Sequence, residues 1–203
     1  MTPPAYFFGY GSLVNQDTHA YRGVHPAQLK GWRRVWRHTT LREVAYLTVV
    51  PDEDAQIDGL IAEVPDMDWA ALDIREGAYD RVPAAHQVVH PLSHAPHIAV
   101  YAIPEGKHGV PSASGPVLLS YLDVVVQGYL REFGEDGATR FFETTHGWDA
   151  PILDDRHAPL YPRHCQLSAD EQQFVDAHLA RLDSQLSPMH QDQSPEKAKW
   201  RDS

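Results

Sequence analysis

Short extended-favouring segments crowd into the first half of this chain and helical patterns into the second, without regular strand–helix alternation. That order constrains the fold more than any other feature. A parallel doubly wound sheet needs a crossover helix after nearly every strand, so its absence points to an α+β fold. The strand candidates are residues 5–8, 29–38, 46–50, 57–64, 82–90 and 98–103, rich in aromatic and β-branched residues and separated by Pro, Gly and Asp. Asp66 or Asp68 is placed to cap a helix over 69–76, with Gly77 where a left-handed C-terminal residue is wanted. From about residue 116 to 133, Val117, Leu118, Tyr121, Leu122, Val125, Val126, Tyr129 and Leu130 recur at helical spacing and predict a helix packed on the sheet. A short helix is expected over 136–144, and Ser168-Ala169-Asp170-Glu171 is a capping box opening a last helix to about Leu186. Residues 187–203 have no apolar period and read as a disordered tail on a single domain spanning 1–186.

Charge and composition narrow the function classes. The formal net charge of -11 repels phosphate backbones, and no Lys/Arg cluster before the tail overcomes it, so nucleic acid is not an expected partner. Met1-Thr2-Pro3-Pro4 lacks a positive n-region and no apolar run approaches bilayer length, which predicts a cytoplasmic protein without a membrane partner. The single cysteine, Cys165, permits neither an intramolecular disulfide nor a cysteine-rich zinc site and reads as a small packing residue. Of the 13 histidines, His86, His90, His94 and His97 lie closest together, but Pro91 and Pro96 break any helix that could align them. Solvated strand and turn histidines are the better reading, and no metal is expected.

The residues with chemical potential are few. In Tyr6-Phe7-Phe8-Gly9-Tyr10-Gly11-Ser12-Leu13 an aromatic strand feeds a glycine loop, whose successive N–H groups can converge on a carboxylate or oxyanion. A plain hairpin turn is the alternative. Val14 stands where a dinucleotide fingerprint needs its third glycine, and Tyr10 and Val14 replace the flanking glycines of a nucleophile elbow around Ser12. Glu76 would sit in the last turn of its helix, facing the negative end of the macrodipole, where a carboxylate becomes a better proton acceptor. Pairing with Arg75 or Arg81 on the surface is the commoner fate of such a residue. In the segment 152–163, Asp–Arg pairs tying down a loop are favoured over Asp154 and Asp155 as a catalytic pair.

Taken together, these residues resemble the γ-glutamylcyclotransferase superfamily, which includes the glutathione-specific ChaC branch and AIG2-like proteins. The resemblance rests on Phe8-Gly9-Tyr10-Gly11-Ser12-Leu13, on Arg75-Glu76-Gly77-Ala78-Tyr79, and on the stretch from Pro111-Ser112 to Tyr121. The segment Leu29-Lys30-Gly31-Trp32-Arg33-Arg34 resembles the strand that follows the loop, and the similarity spans most of residues 5–165. It implies a small mixed β-barrel, closed or nearly so, with flanking helices. It also implies release of 5-oxoproline by attack of a γ-glutamyl α-amine on its own γ-carbonyl. Tyr10, Gly11, Ser12 and Leu13 would hold the γ-glutamyl group largely through backbone groups, with Glu76 as the base. Tyr79 and Tyr121 are secondary substrate contacts, although a core role suits Tyr121 equally. No cofactor, metal or covalent nucleophile is implied, and the partner is a small γ-glutamyl compound. Dipeptide, amine and glutathione substrates all stay open, as does the oligomeric state. Two other readings are a non-catalytic binding module on the same fold and a histidine-rich metal protein, the latter disfavoured.

Overall fold

The computed structural model describes residues 4–39, 44–107, 115–182 and 186–188. Its elements in chain order are β1 (Ala5–Gly9), β2 (His25–Arg37), β3 (Tyr46–Glu63), α1 (Trp69–Arg75), β4 (Asp80–Pro83), β5 (Val88–Val89) and β6 (His97–Ala102). Then follow β7 (Val117–Leu118), α2 (Leu119–Glu143), β8 (Thr145–His146), β9 (Ile152–Asp154), α3 (Ala169–Arg181) and β10 (Leu186–Pro188). The architecture is α+β, as the segment order predicts. A mixed sheet in the order β4-β6-β1-β3-β2-β5, with β8 also on β2, curls into a half-barrel, and a small parallel sheet β10-β9-β7 stands beside it.

The curl follows from connectivity. A flat sheet in that order would set β4 and β5 about 24 Å apart, at ~4.8 Å per strand. The chain between Pro83 and Val88 reaches only ~17 Å fully extended. The two edge strands therefore have to approach each other, and the sheet bends to let them. The predicted single strand over 82–90 is divided for the same reason: Gln87 N–H turns back to the Ala84 carbonyl at 2.9 Å, handing the chain from β6 to β2.

Strand β1 lies between β3 and β6, and every residue of it is buried. Its alternation feeds two cores: Tyr6 and Phe8 enter the main one, Ala5 and Phe7 a smaller one with Leu72 and Tyr101. Segments 46–50 and 57–64, expected as separate strands, form one, β3. Pro51 and the acidic run after it read as a break. The ladder with β2 instead resumes beyond them, Lys30 opposite Gln56 and Trp32 opposite Pro51, across a bulge where Gly31 takes φ 77°.

Asp68 caps α1, its side chain accepting from Ala71 N–H at 3.1 Å. Gly77 is not left-handed, contrary to expectation, because the helix exits through a tight turn in which Tyr79 N–H donates to the Glu76 carbonyl at 2.7 Å. Helix α2 begins three residues later than the pattern suggests, since Val117 and Leu118 pair with β9. The helices expected over 116–133 and 136–144 run on as one, interrupted at Gly134 (φ 67°, ψ −173°). Ser168 and Glu171 make the predicted capping box of α3, which ends at Arg181 rather than Leu186. Ser187 and Pro188, assigned to the tail from sequence, pair with β9, and 189–203 lie outside the described residues. Among the described residues no helix is long and apolar enough to cross a membrane.

Candidate functional site

At the end of β1 the chain turns through Gly11 into a 3-10 turn, Ser12–Val14, closed by Val14 N–H on the Gly11 carbonyl at 2.9 Å. The turn is pinned to α2 by Asn15, fully buried, whose Nδ2 donates to the Val124 carbonyl and Gln127 Oε1, both at 3.0 Å. A hydrogen-bonded loop of this kind is pre-organised, as a binding surface built from backbone groups must be.

Tyr121, on α2, reaches the loop from the other side. A Cβ on Gly11 would stand 2.6 Å from its hydroxyl, so only glycine admits this approach. Burial pushes the Tyr121 hydroxyl well above its ordinary pKa, and a hydrogen bond from the Ser12 backbone works against that push. Gly11→Ala is therefore expected to displace Tyr121 and destabilise the protein. Gly11→Ala combined with Tyr121→Phe, which removes the obstructing oxygen, should recover part of the loss in a thermal unfolding cycle. Equal Tm values for the single and double variants would refute that contact as the cause.

Glu76 follows α1 directly, half-buried, with its N–H on the Leu72 carbonyl at 2.9 Å. Its charge raises the pKa of Tyr10, Tyr79 and Tyr121, in each case as a smaller contribution beside desolvation. Glu76 thus lies within electrostatic range of Tyr10, Tyr79 and Tyr121, and Tyr121, far from Glu76 in the sequence, lies against the loop at Gly11. Arg81, a candidate surface partner of Glu76, lies instead 3.3 Å from Asp73 and stacks over the Trp69 ring at 4.4 Å. The side chain of Arg75 and the Pro111-Ser112 stretch lie outside the described residues.

The tyrosines divide by what their hydroxyls already do. Tyr79 donates to the Leu47 carbonyl at 3.1 Å, so its hydroxyl has only acceptor lone pairs left. Tyr10 donates to the Tyr101 carbonyl at 2.7 Å and hydrogen-bonds the Thr48 side chain, which makes its side chain part of the frame and leaves its backbone for the loop. Leu13 turns its side chain to the smaller core beside Phe7 and Tyr101. The sequence reading missed Leu47, Thr48 and Tyr46, the last in edge contact with Tyr79 at 6.0 Å, and Trp36, which meets Tyr121 edge-on at 6.0 Å. Their strand pattern marked them as buried without showing which neighbours they would meet.

The segment 152–163 is tied into the fold by its charged side chains. Asp155 accepts from Ser120 N–H (2.8 Å), Ser120 Oγ (2.6 Å) and Leu160 N–H (2.8 Å), so it fastens the start of α2 and is not half of a catalytic pair. Arg156 ties the loop down by pairing with Asp123 and Asp176, each at 2.7 Å. Among the described residues no three His, Cys, Asp or Glu side chains converge as a metal-ligand set.

Comparison with known proteins gives the same direction. The family model described as "Gamma-glutamyl cyclotransferase, AIG2-like" matches residues 7–116, which include the loop and Glu76 but stop short of Tyr121. No curated protein matches the chain. A solved structure named "Gamma-glutamyl cyclotransferase" superposes with a TM-score of 0.53 at 11% identity, covering 85% of this chain and 98% of that one. YkqA from Bacillus subtilis superposes at 0.52 with 18% identity, over 71% of this chain and 56% of its own. An uncharacterized protein from Homo sapiens does so at 0.52 with 11% identity, over 84% and 97%. At these identities the superpositions establish the shared fold.

Proposed function

The chain belongs to the AIG2-like γ-glutamyl cyclotransferase family, and on that premise we propose that it releases 5-oxoproline from a γ-glutamyl compound by intramolecular cyclisation. The observation that supports this reading is that Glu76 acts electrostatically on Tyr79 and Tyr121, while Tyr121 lies against the loop at Gly11. A γ-glutamyl substrate brings both its nucleophile, the α-amine, and its electrophile, the γ-carbonyl. Closing a five-membered ring then requires only geometry and a proton acceptor.

In this mechanism the loop amides hold the γ-glutamyl group, and the lone pairs of Tyr79 and the carboxylate of Glu76 receive the α-ammonium. Glu76 takes one ammonium proton, the freed amine attacks the γ-carbonyl, and loop donors steady the tetrahedral oxyanion. Collapse breaks the bond to the leaving amine, to which Glu76 gives the proton it holds, and the second ammonium proton then passes from the ring nitrogen through Glu76 to the same amine, which departs as an ammonium. Atoms balance without water or a cofactor.

The reading is tested by 5-oxoproline release from a panel of γ-glutamyl dipeptides, γ-glutamyl amines and glutathione. Turnover of one class, with the others far slower, is the expected result and names the leaving group. No product from any member would move a non-catalytic binding module on this fold to first place.

A further inference from the structure

Behind the loop lies a buried charge that the proposed reaction does not use. Arg34, on β2, is 1% exposed, and the hydrogen bonds of its guanidinium go to neutral groups. Nε donates to Thr145 Oγ1 (3.2 Å), Nη2 to Thr144 Oγ1 (2.7 Å), and Nη1 to the Asp58 carbonyl (3.0 Å) and the Tyr129 hydroxyl. The Phe141 and Tyr129 rings lie 4.9 and 5.1 Å from its Cζ. The Asp58 carboxylate is engaged elsewhere, by Gln28 Nε2 and Arg140 Nε, each at 2.9 Å. Desolvation pulls the guanidinium pKa down, with Tyr129 and Asp58 opposing it. A charge buried this deeply adds little to stability compared with an apolar side chain of similar volume, so its presence calls for another account.

Tyr129 supplies one. Its hydroxyl accepts from Arg34, and its own proton lies within reach of two carbonyls, Asp58 at 2.7 Å and Tyr10 at 3.1 Å. The Asp58 carbonyl already receives Arg34 Nη1. The Tyr10 carbonyl belongs to the same trans peptide as the Gly11 N–H, so that N–H points away from Tyr129, and Gly11 itself lies against the Tyr121 hydroxyl.

Resting on the function proposed above, we infer that Arg34 and Tyr129 are a positioning pair for the substrate loop. The guanidinium charge, relayed through the Tyr129 hydroxyl to the Tyr10 carbonyl, fixes and polarises the Tyr10–Gly11 peptide. Polarisation strengthens the Gly11 amide as a donor to the anionic parts of a γ-glutamyl substrate, because hydrogen bonds in a chain reinforce one another at low dielectric. Neither residue needs to touch the substrate.

Tyr129→Phe keeps the ring packing and removes the hydroxyl, and with it the bonds to Arg34 and to the Asp58 and Tyr10 carbonyls. Thr145→Val removes another acceptor of the same guanidinium, one not bonded to the loop. Both variants and wild type would be compared by amide hydrogen exchange over residues 9–14 and by steady-state 5-oxoproline release. Tyr129→Phe is expected to speed loop exchange about tenfold or more and to lower kcat/KM by about 10–100-fold, less than the ~10²–10³-fold of losing an oriented donor outright, because the Gly11 N–H is weakened and not removed. Thr145→Val is expected to leave both within about twofold, even where it lowers Tm. Wild-type exchange in Tyr129→Phe, or equal damage from Thr145→Val, would overturn the inference. Should wild type release no 5-oxoproline, the proposed function fails, and the exchange measurement alone decides the positioning role.

Discussion

Glu76→Gln is expected to lower 5-oxoproline release by about 10²–10⁴-fold, the range removed with a general base, while Tm stays within a few degrees of wild type. The substitution keeps the size of the side chain and its place in the turn after α1, and its backbone hydrogen bonds to Leu72 and Tyr79 do not depend on the carboxylate. What it removes is the proton acceptor. The neighbouring tyrosines cannot replace it, because Tyr10, Tyr79 and Tyr121 are all shifted upward by burial and stay protonated at neutral pH. Undiminished turnover in Glu76→Gln would refute Glu76 as base, and a collapse in Tm would make the loss of activity uninformative about chemistry. Glu76→Asp separates the two contributions. It keeps the charge but draws it back by about one methylene, so binding should survive better than kcat, since a misplaced base costs rate before affinity.

How much of this was legible in the chain depends on the range of the interactions that decide each feature. The aromatic run of β1, a cap for α1 at Asp66 or Asp68 and the Ser168–Glu171 capping box are set by neighbours within a few residues and are predicted from the sequence, the structure selecting Asp68 as the cap. The division of 82–90 into β4 and β5 depends on which sheet edge each half joins, and no local pattern carries that. Gly77 misleads for a related reason. Glycine after a helix usually marks a left-handed residue, yet here the turn is closed by Tyr79, whose own position is fixed by packing against Tyr46 and bonding to Leu47. The candidate site was legible as separate motifs, and only the fold brings Glu76 to Tyr121. Arg34 looked like one of several charges in a strand. Its alternation with Trp32 and Trp36 did place it on the face of two large apolar residues, which is the signal that could have marked it as buried.

Asp155→Ala is the substitution expected to cost the most stability, about 3–5 kcal/mol, because it leaves two buried donors and one half-buried donor without their acceptor. The residue is fully buried, and its two oxygens take the Ser120 N–H, the Ser120 hydroxyl and the Leu160 N–H at 2.6–2.8 Å. It thus closes the first turn of α2, which has no side-chain cap from Leu118 itself, and anchors the segment after β9 to the helix. A carboxylate at that end also meets the positive pole of the helix. Urea unfolding should show a lower midpoint at constant m, as expected when stability changes without a change in the surface exposed. Asp154→Ala, one residue earlier and half-buried, removes only an acceptor of Arg156 N–H at 3.2 Å and should cost under about 1 kcal/mol. Similar losses in the two variants would refute the specific role of Asp155. A large loss in Asp155→Ala alone would also bear on the site, because Tyr121 directly follows Ser120. A frayed first turn of α2 loosens the tyrosine that closes over Gly11, so KM in the surviving folded fraction should rise before kcat falls.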